Sequence, residues 1–393
     1  MHDMLQPTAD DTWRLEAGAH PLLAEPAVEA ALAIGNGFIG LRAARPVLRR
    51  PSWVSWLPWL KWASWPRCFV AGLFDTPNTI PPVPALVPVG DWSRLRLAVE
   101  GVPVFGDQSE TLGETRFLDL RRGCLLTSWA QRLPGGAVMR GRDLRLVSQA
   151  DRAIGLQVAT FTLDRDGLAV TLDAEVELVG QGMLPVHAAP DLAVWRTEGG
   201  GRSLAMAAAA VLRRADGVAP ARRAFPLGWR WTWRSVAGEE VACERLVALA
   251  RGDGPDANPA PRALAALRRT TFVGWRAALA AHEQALEARW QEADVALPAD
   301  PALQKALRFA LHHLIAAANP EDPLVSVGAR ALTGDVYLGH VFWDTEIYLL
   351  PFYTAVWPAA ARAALLYRWH TLPGARRNAA RAGWRGALYA WES

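Results

Sequence analysis

The chain has 393 residues, of which 51% are hydrophobic and 21% charged. This excludes a disordered polypeptide and leaves room for two or three domains whose cores need no disulfide staples. The 42 basic side chains nearly balance the 39 acidic ones, and a net charge of +3 gives no ground for expecting nucleic acid as a partner. Only Lys61 and Lys305 are lysines, so arginine supplies almost all of the positive charge. Cys68, Cys124 and Cys243 lie far apart without CxxC spacing. That argues against a disulfide framework or a zinc site and fits a reducing compartment, taken here as the cytoplasm. The N-terminus, MHDMLQPTADDTW, carries acids where a secretory signal needs basic and then apolar residues. No apolar run approaches the ~18 residues of a membrane span.

Residues 1–250 read as mostly β. The first motif, Gly35-Asn36-Gly37-Phe38-Ile39-Gly40, matches G-x-G-x-x-G. A dinucleotide site would need a helix after it and an acidic residue ~20 positions on. No Asp or Glu stands between Glu29 and Asp75, so Asn-Gly reads as a tight turn between strands. Trp53, Trp56, Trp59, Trp62 and Trp65 then recur at every third position. On a 3₁₀ or polyproline-like segment they share one face. They form either an aromatic platform for a sugar, a membrane interface or another chain, or an insertion packed on its own domain or a partner subunit. The packing reading is preferred.

Period-two alternation follows at Leu95, Leu97 and Val99, at Ile154, Leu156 and Val158, and from Leu168 to Leu178, which puts one face of each strand in a core. Trp229, Trp231 and Trp233 alternate with Arg230, Thr232 and Arg234, a strand with three indoles on its packed face. Breaks at Pro134-Gly135-Gly136 and Gly199-Gly200-Gly201 separate these segments, and no helix regularly intervenes. Antiparallel sheets packed as a sandwich are therefore expected.

The polar stretch RGDGPDANPAP, residues 251–261, marks a boundary, and helices follow it. Trp275, Leu279, His282, Leu286 and Trp290 recur at three- and four-residue steps. A second helix is predicted from Asp300 as N-cap and Pro301 as first helical residue, with Leu303, Leu307, Leu311 and Leu314 as its apolar stripe. Further helices are predicted near 345–370, broken by Pro351, Pro358 and Pro373. The adjacent pair His312-His313 diverges by ~100° on a helix and lacks further ligands at metal spacing, so no metal is expected. Ser326 has no G-x-S-x-G context, which removes the serine-hydrolase signal.

The densest chemistry is Gly339-His340-Val341-Phe342-Trp343-Asp344-Thr345-Glu346, and Trp391-Glu392-Ser393 repeats its Trp–carboxylate pairing at the end of the sequence. Such a pair suits a sugar. The indole offers an apolar face to ring C–H groups, and the carboxylate accepts charge-assisted hydrogen bonds from hydroxyls. Each pair taken alone is equally readable as a helix-start carboxylate beside a core Trp.

The stretch LTGDVYLGHVFWDTEIYLLPFY, then ALLYRWHTL, then GARRNAARAGWRGALYAWES resembles glycoside hydrolase family 65, whose members include maltose, trehalose and kojibiose phosphorylases and acid trehalases. IGNGFIGLR, VAGLFD and the Pro88–Gly101 segment resemble the same family, and the match runs from about residue 13 to the last residue. The resemblance implies a multidomain chain, β then α. An antiparallel β-sandwich would occupy 1–250, a helical linker 251–299, and the beginning of an (α/α)₆ barrel 300–393. It implies that Trp343 and Asp344 hold the glucose ring whose anomeric carbon reacts, that Trp391 and Glu392 line the same pocket, and that His340 and Glu346 shape it from behind. The substrate class is an α-linked glucose disaccharide. The reaction inverts the anomeric centre and needs no cofactor, with inorganic phosphate as co-substrate in a phosphorylase. The family's proton-donating glutamate and its phosphate-binding residues fall well after the WES motif, so no residue present is assigned as the catalytic acid. The expectation is an incomplete carbohydrate phosphorylase or glycosidase, inactive alone, with a separately encoded C-terminal remainder as one source of the rest. The alternative is a non-catalytic sugar-binding or assembly protein, and association into a homo-oligomer stays open.

Overall fold

Alternation in the first half of the chain builds antiparallel sheets. The structure, a computed structural model, describes residues 2–18, 20, 24–45, 67–76, 83–176, 182–254 and 256–393. The five regularly spaced tryptophans at 53–65 lie outside the described residues. The first strands are β1 (Arg14–Ala17), β2 (Ile34–Gly35), β3 (Ile39–Leu41), β4 (Cys68–Asp75), β5 (Ala85–Val89) and β6 (Leu95–Val99). Then come β7 (Val102–Pro103), β8 (Glu110–Asp119), β9 (Cys124–Arg132), β10 (Val138–Val147), β11 (Ile154–Leu163) and β12 (Ala169–Glu175). The last are β13 (Met183–Ala188), β14 (Leu192–Thr197), β15 (Arg202–Arg213), β16 (Ala221–Phe225), β17 (Gly228–Arg234) and β18 (Val241–Asp253). The helices are α1 (Glu25–Ala31), α2 (Ala260–Val273), α3 (Trp275–Ala293), α4 (Pro301–Ala317), α5 (Leu350–Val356) and α6 (Pro358–Arg381).

Among the described residues three sheets result. One has nine strands in the order β1-β8-β9-β10-β11-β18-β15-β14-β13, one has five in the order β16-β17-β12-β6-β7, and one has four, β2-β3-β4-β5. The five-stranded sheet shows the simple alternation expected of it. Leu95, Leu97, Val170, Leu172, Trp229 and Trp231 turn inward and share a core with Trp129 and Phe161 of the nine-stranded sheet. Trp233 packs at the edge of that core, half-buried.

For the strand beginning at Ile154 the expectation of one buried face needs correcting. β11 and β18 are buried on both faces. Ala159, Phe161 and Leu163 face the five-stranded sheet, whereas Ile154, Leu156 and Val158 pack against Ala263, Leu267, Trp275 and Leu279 of α2 and α3. The helices thus form a third layer. A central strand between two layers carries apolar side chains at both parities.

The α3 residues predicted from spacing, Trp275, Leu279, His282, Leu286 and Trp290, are all buried. Trp290 meets Trp13 edge-on at 4.9 Å and donates its indole N–H to the Leu120 carbonyl at 3.1 Å. α4 begins as predicted, with Asp300 accepting from the Leu303 N–H at 2.9 Å and Pro301 in the first turn. Its buried face matches the leucine stripe only in part, since Leu311 is buried and Leu307 and Leu314 are half-buried. Leu303 is 54% exposed, and Gln304, Arg308, His312 and Ile315 are buried beside Leu311. Gln304 and Arg308 are held there by specific bonds. Gln304 bridges the Leu297 N–H (2.6 Å) and the Val295 carbonyl (3.0 Å). Arg308 pairs with Asp294 at 2.8 Å and lies 3.7 Å above the Trp13 ring. Pro373 also departs from expectation, since α6 runs through it. Its ring sits on the exposed side, and the Trp369 carbonyl it leaves unbonded belongs to a residue open to water.

His282 and His312 are sealed between α3, α4 and the β8–β9 turn. Burial pushes the imidazole of His282 down to about 4. Burial, helped by His313 and His282, pushes that of His312 down to about 3. The unfolded rings bind protons below ~6.5, while the folded ones stay neutral far lower. This contribution is therefore intact above pH ~6.5 and lost as pH falls towards the folded values, about 2 kcal/mol per histidine by pH 5. His312→Leu is expected to remove about half of that acid loss, read from urea midpoints at pH 7 and pH 5. Equal losses in wild type and variant would contradict the assignment.

Candidate functional site

The site forms where the small β2–β5 sheet meets the segment leaving α4. The Asn36-Gly37 turn makes the β2–β3 hairpin, as the sequence suggests. Asn36 is fully buried. Its amide donates to the Ser148 and Arg152 carbonyls at 2.7 and 3.0 Å, and its oxygen accepts from the Phe38 and Ile39 N–H groups. The glycines of this motif serve close approach. A Cβ on Gly37 would lie 2.2 Å from the Ala318 carbonyl oxygen, and one on Gly40 would lie 2.2 Å from Leu332 Cβ. Arg152 donates to both the Asn36 and Ala318 carbonyls and ties the hairpin to the α4 exit.

From there the chain reaches the Trp–carboxylate motif through a strained turn. Tyr337, Leu338 and Gly339 are all left-handed, with φ of 62°, 55° and 76°. For the two non-glycine residues this costs roughly 1–2 kcal/mol each. Functional segments are where such strain concentrates. The turn delivers His340 to a buried position between the β region and the end of the sequence. His340 Nε2 donates to the Pro84 carbonyl, and Nδ1 lies 2.7 Å from Glu392 Oε1. After Asp344, residues Thr345–Leu349 form a single π-helical turn that continues into α5. The Thr345 hydroxyl donates to the Val327 carbonyl at 2.8 Å and anchors this turn.

The two motifs far apart in sequence meet in space. Val341 and Ser393 exchange backbone hydrogen bonds, each 2.9 Å, around an antiparallel bridge between Phe342 and Glu392. That pairing sets Trp343 and Trp391 perpendicular with ring centres 5.4 Å apart. They are 39% and 54% exposed and stand outside the linings of the two neighbouring clefts. Glu392 turns to His340 and lines a cleft of about 550 Å³ between the β2–β5 sheet and the segment after α4. Asp344 is exposed at the start of the π turn and lines a second cleft of about 460 Å³ that adjoins the first along Val327, Gly328 and Leu332. The structure therefore joins Trp343 with Trp391 and His340 with Glu392, but leaves the carboxylates of Asp344 and Glu392 on different clefts. Glu346 has both carboxylate oxygens on the Arg368 guanidinium, at 2.8 and 2.7 Å. The sequence reading missed Arg368 and Pro84, whose roles depend on contacts across 22 and 256 residues.

Other reactive side chains are spent elsewhere. Cys68, Cys124 and Cys243 are free and buried, and burial pushes all three thiols up, Cys243 to about 12. Such thiols are inert as nucleophiles. Among the described residues no group of three His, Cys, Asp or Glu could hold a metal ion, and no helix is long and apolar enough to cross a membrane.

Two family models match. One, described as the glycosyl hydrolase family 65 N-terminal domain, covers residues 20–289, and the other, the family's central catalytic domain, covers 308–393. A kojibiose phosphorylase of Caldanaerobacter subterraneus is 30% identical over 354 residues, 84% of this chain and 46% of the relative. One from Thermoanaerobacter brockii is 27% identical over 100% of this chain and 52% of the relative. A solved structure titled putative kojibiose phosphorylase from human microbiome superposes with a TM-score of 0.83 at 17% identity, covering 98% of this chain and 52% of that one. The chain spans about half the length of the curated relatives it matches.

Proposed function

Because the chain belongs to glycosyl hydrolase family 65, we propose that it holds an α-linked glucose disaccharide for inverting phosphorolysis, in the manner of relatives named as kojibiose, trehalose and nigerose phosphorylases. The observation that carries this reading is the pairing of the HVFWDTE and WES segments through the Val341–Ser393 ladder, with Trp343 against Trp391. In it, Trp343 and Trp391 take the apolar faces of the sugar and Asp344 accepts hydrogen bonds from its hydroxyls. Glu392, held by His340, offers an acceptor on the neighbouring cleft rather than beside Asp344, and Glu346 steadies the π turn. The division into a β domain at 1–250, a helical connector at 251–299 and the opening helices of a barrel at 300–393 belongs to the same proposal. So do a cytoplasmic setting and a complementary helical polypeptide as partner.

In inverting chemistry an acid protonates the departing glycosidic oxygen while phosphate attacks the opposite face of an oxocarbenium-like centre. The glutamates at this site are engaged, Glu346 by both nitrogens of an arginine fork and Glu392 by His340. Both are assigned to holding the site rather than to delivering that proton. The 393-residue chain is therefore expected to bind disaccharide without releasing glucose 1-phosphate from kojibiose, maltose or trehalose in phosphate buffer. A coupled assay showing sustained release by purified chain would overturn the assignment of these residues to binding alone.

A further inference from the structure

Arg368, on α6, is 9% exposed and touches both motif segments at once. Its Nε and Nη2 form a fork on Glu346 at 2.8 and 2.7 Å. Nη2 also donates to the Phe342 carbonyl, and Nη1 donates to the Ser393 hydroxyl, each at 3.3 Å. The guanidinium lies 5.4 Å from the Tyr367 ring centre and 5.8 Å from that of Tyr389, whose hydroxyl donates to the Arg368 carbonyl at 2.8 Å. Phe342 and Glu346 bracket Trp343 and Asp344, and Ser393 follows Trp391 and Glu392. One planar cation thus spans both Trp–carboxylate pairs from behind.

We propose that Arg368 is the positioning residue that fixes Trp343 against Trp391, so that α6 rather than the motif loops sets the shape of the sugar-holding corner. The physical basis is the fork. A guanidinium donates in fixed, coplanar directions, so its contacts with Glu346, Phe342 and Ser393 hold those groups in one arrangement. A lysine in the same place carries the charge but cannot hold all three. The inference rests on the reading of Trp343 and Trp391 as sugar contacts only for its binding arm; the geometric arm stands without it.

The test uses the full chain labelled with 5-fluorotryptophan, with the fluorine resonances of Trp343 and Trp391 assigned through Trp343→Phe and Trp391→Phe. Arg368→Gln is expected to shift those two resonances while the other indoles stay in place, and to weaken kojibiose binding at least tenfold by calorimetry. Arg368→Lys restores part of the loss, leaving binding three- to tenfold weaker than wild type. Glu346→Gln shifts the same two resonances, and the double variant with Arg368→Gln is no worse than the worse single one, because the pair acts as a unit. The clamp is overturned if Arg368→Gln leaves both resonances unmoved. It is equally overturned if Gln and Lys variants alike move every indole together, which is the signature of a general scaffold role. If wild-type chain binds no glucose disaccharide, the functional reading fails on its own, while the two fluorine shifts still decide the clamp.

Discussion

Asp344→Ala is expected to weaken disaccharide binding by one to two orders of magnitude, more than any other substitution at the site. The Asp344 side chain stands exposed at the start of the π turn and makes no capping bond to it. Its acceptor capacity is therefore available to a ligand. Hydrogen bonds to a charged group contribute about 1.5–3 kcal/mol, which corresponds to roughly 10- to 150-fold in affinity. The fold should not suffer, since an exposed carboxylate without partners contributes little to stability. Trp343→Ala is expected to cost less, about three- to tenfold, because Trp391 remains as the second wall of the corner. Titration calorimetry with kojibiose reads both variants. An Asp344→Ala protein binding within twofold of wild type would remove Asp344 from the sugar contacts.

The second large effect is on assembly. Gly37→Ala is expected to destabilise the chain by about 2–5 kcal/mol, from two sources that add. Gly37 has φ 76°, a conformation that strains any residue with a side chain. Its Cβ would also lie 2.2 and 2.3 Å from the Ala318 carbonyl group and 2.6 Å from the Asn319 nitrogen, all backbone atoms. Relief requires the hairpin and the α4 exit to part, which breaks the Arg152 bonds to Asn36 and Ala318. Gly135→Ala is the control. Gly135 has φ 83° but open space around it, so only the backbone strain of about 1–2 kcal/mol applies. Urea midpoints of the two variants should differ accordingly. Equal losses would mean that the contact between hairpin and α4 exit carries no energy.

These two sites also mark how far the sequence could be read. Periodicity located what repeats locally. The indoles of β17 alternate in register with its arginines, and the buried face of α3 follows from three- and four-residue steps because nearly every buried residue there is apolar. α4 yields to the same method only in part. Beside Leu311 and Ile315 its core face carries Gln304 and Arg308, buried because backbone groups at 295 and 297, Asp294 and the Trp13 ring meet them. A hydropathy pattern cannot register partners that come from elsewhere in the chain. Burial of β11 on both faces was hidden similarly, since it depends on α2 and α3 returning to cover the sheet.

The chemistry divides in the same way. Trp343, Asp344, Trp391 and Glu392 could be picked out because a Trp beside a carboxylate is a chemically distinctive pair, and the resemblance to a known family joined two such pairs. Which groups hold them could not. His340 bridges Pro84 and Glu392, and Arg368 bridges Glu346, Phe342 and Ser393, through contacts with no sequence spacing of their own. The Asn-Gly pair of GNGFIG reads as a turn and forms one, but the close approach of residues 318 and 332 to Gly37 and Gly40 appears only in three dimensions.

The most direct test is a crystal structure of the chain soaked with kojibiose. The account predicts a glucose ring in van der Waals contact with Trp343 and Trp391, with a hydroxyl within hydrogen-bond distance of the Asp344 carboxylate. A sugar seated elsewhere, with the corner between Trp343 and Trp391 empty at saturating ligand, would contradict it.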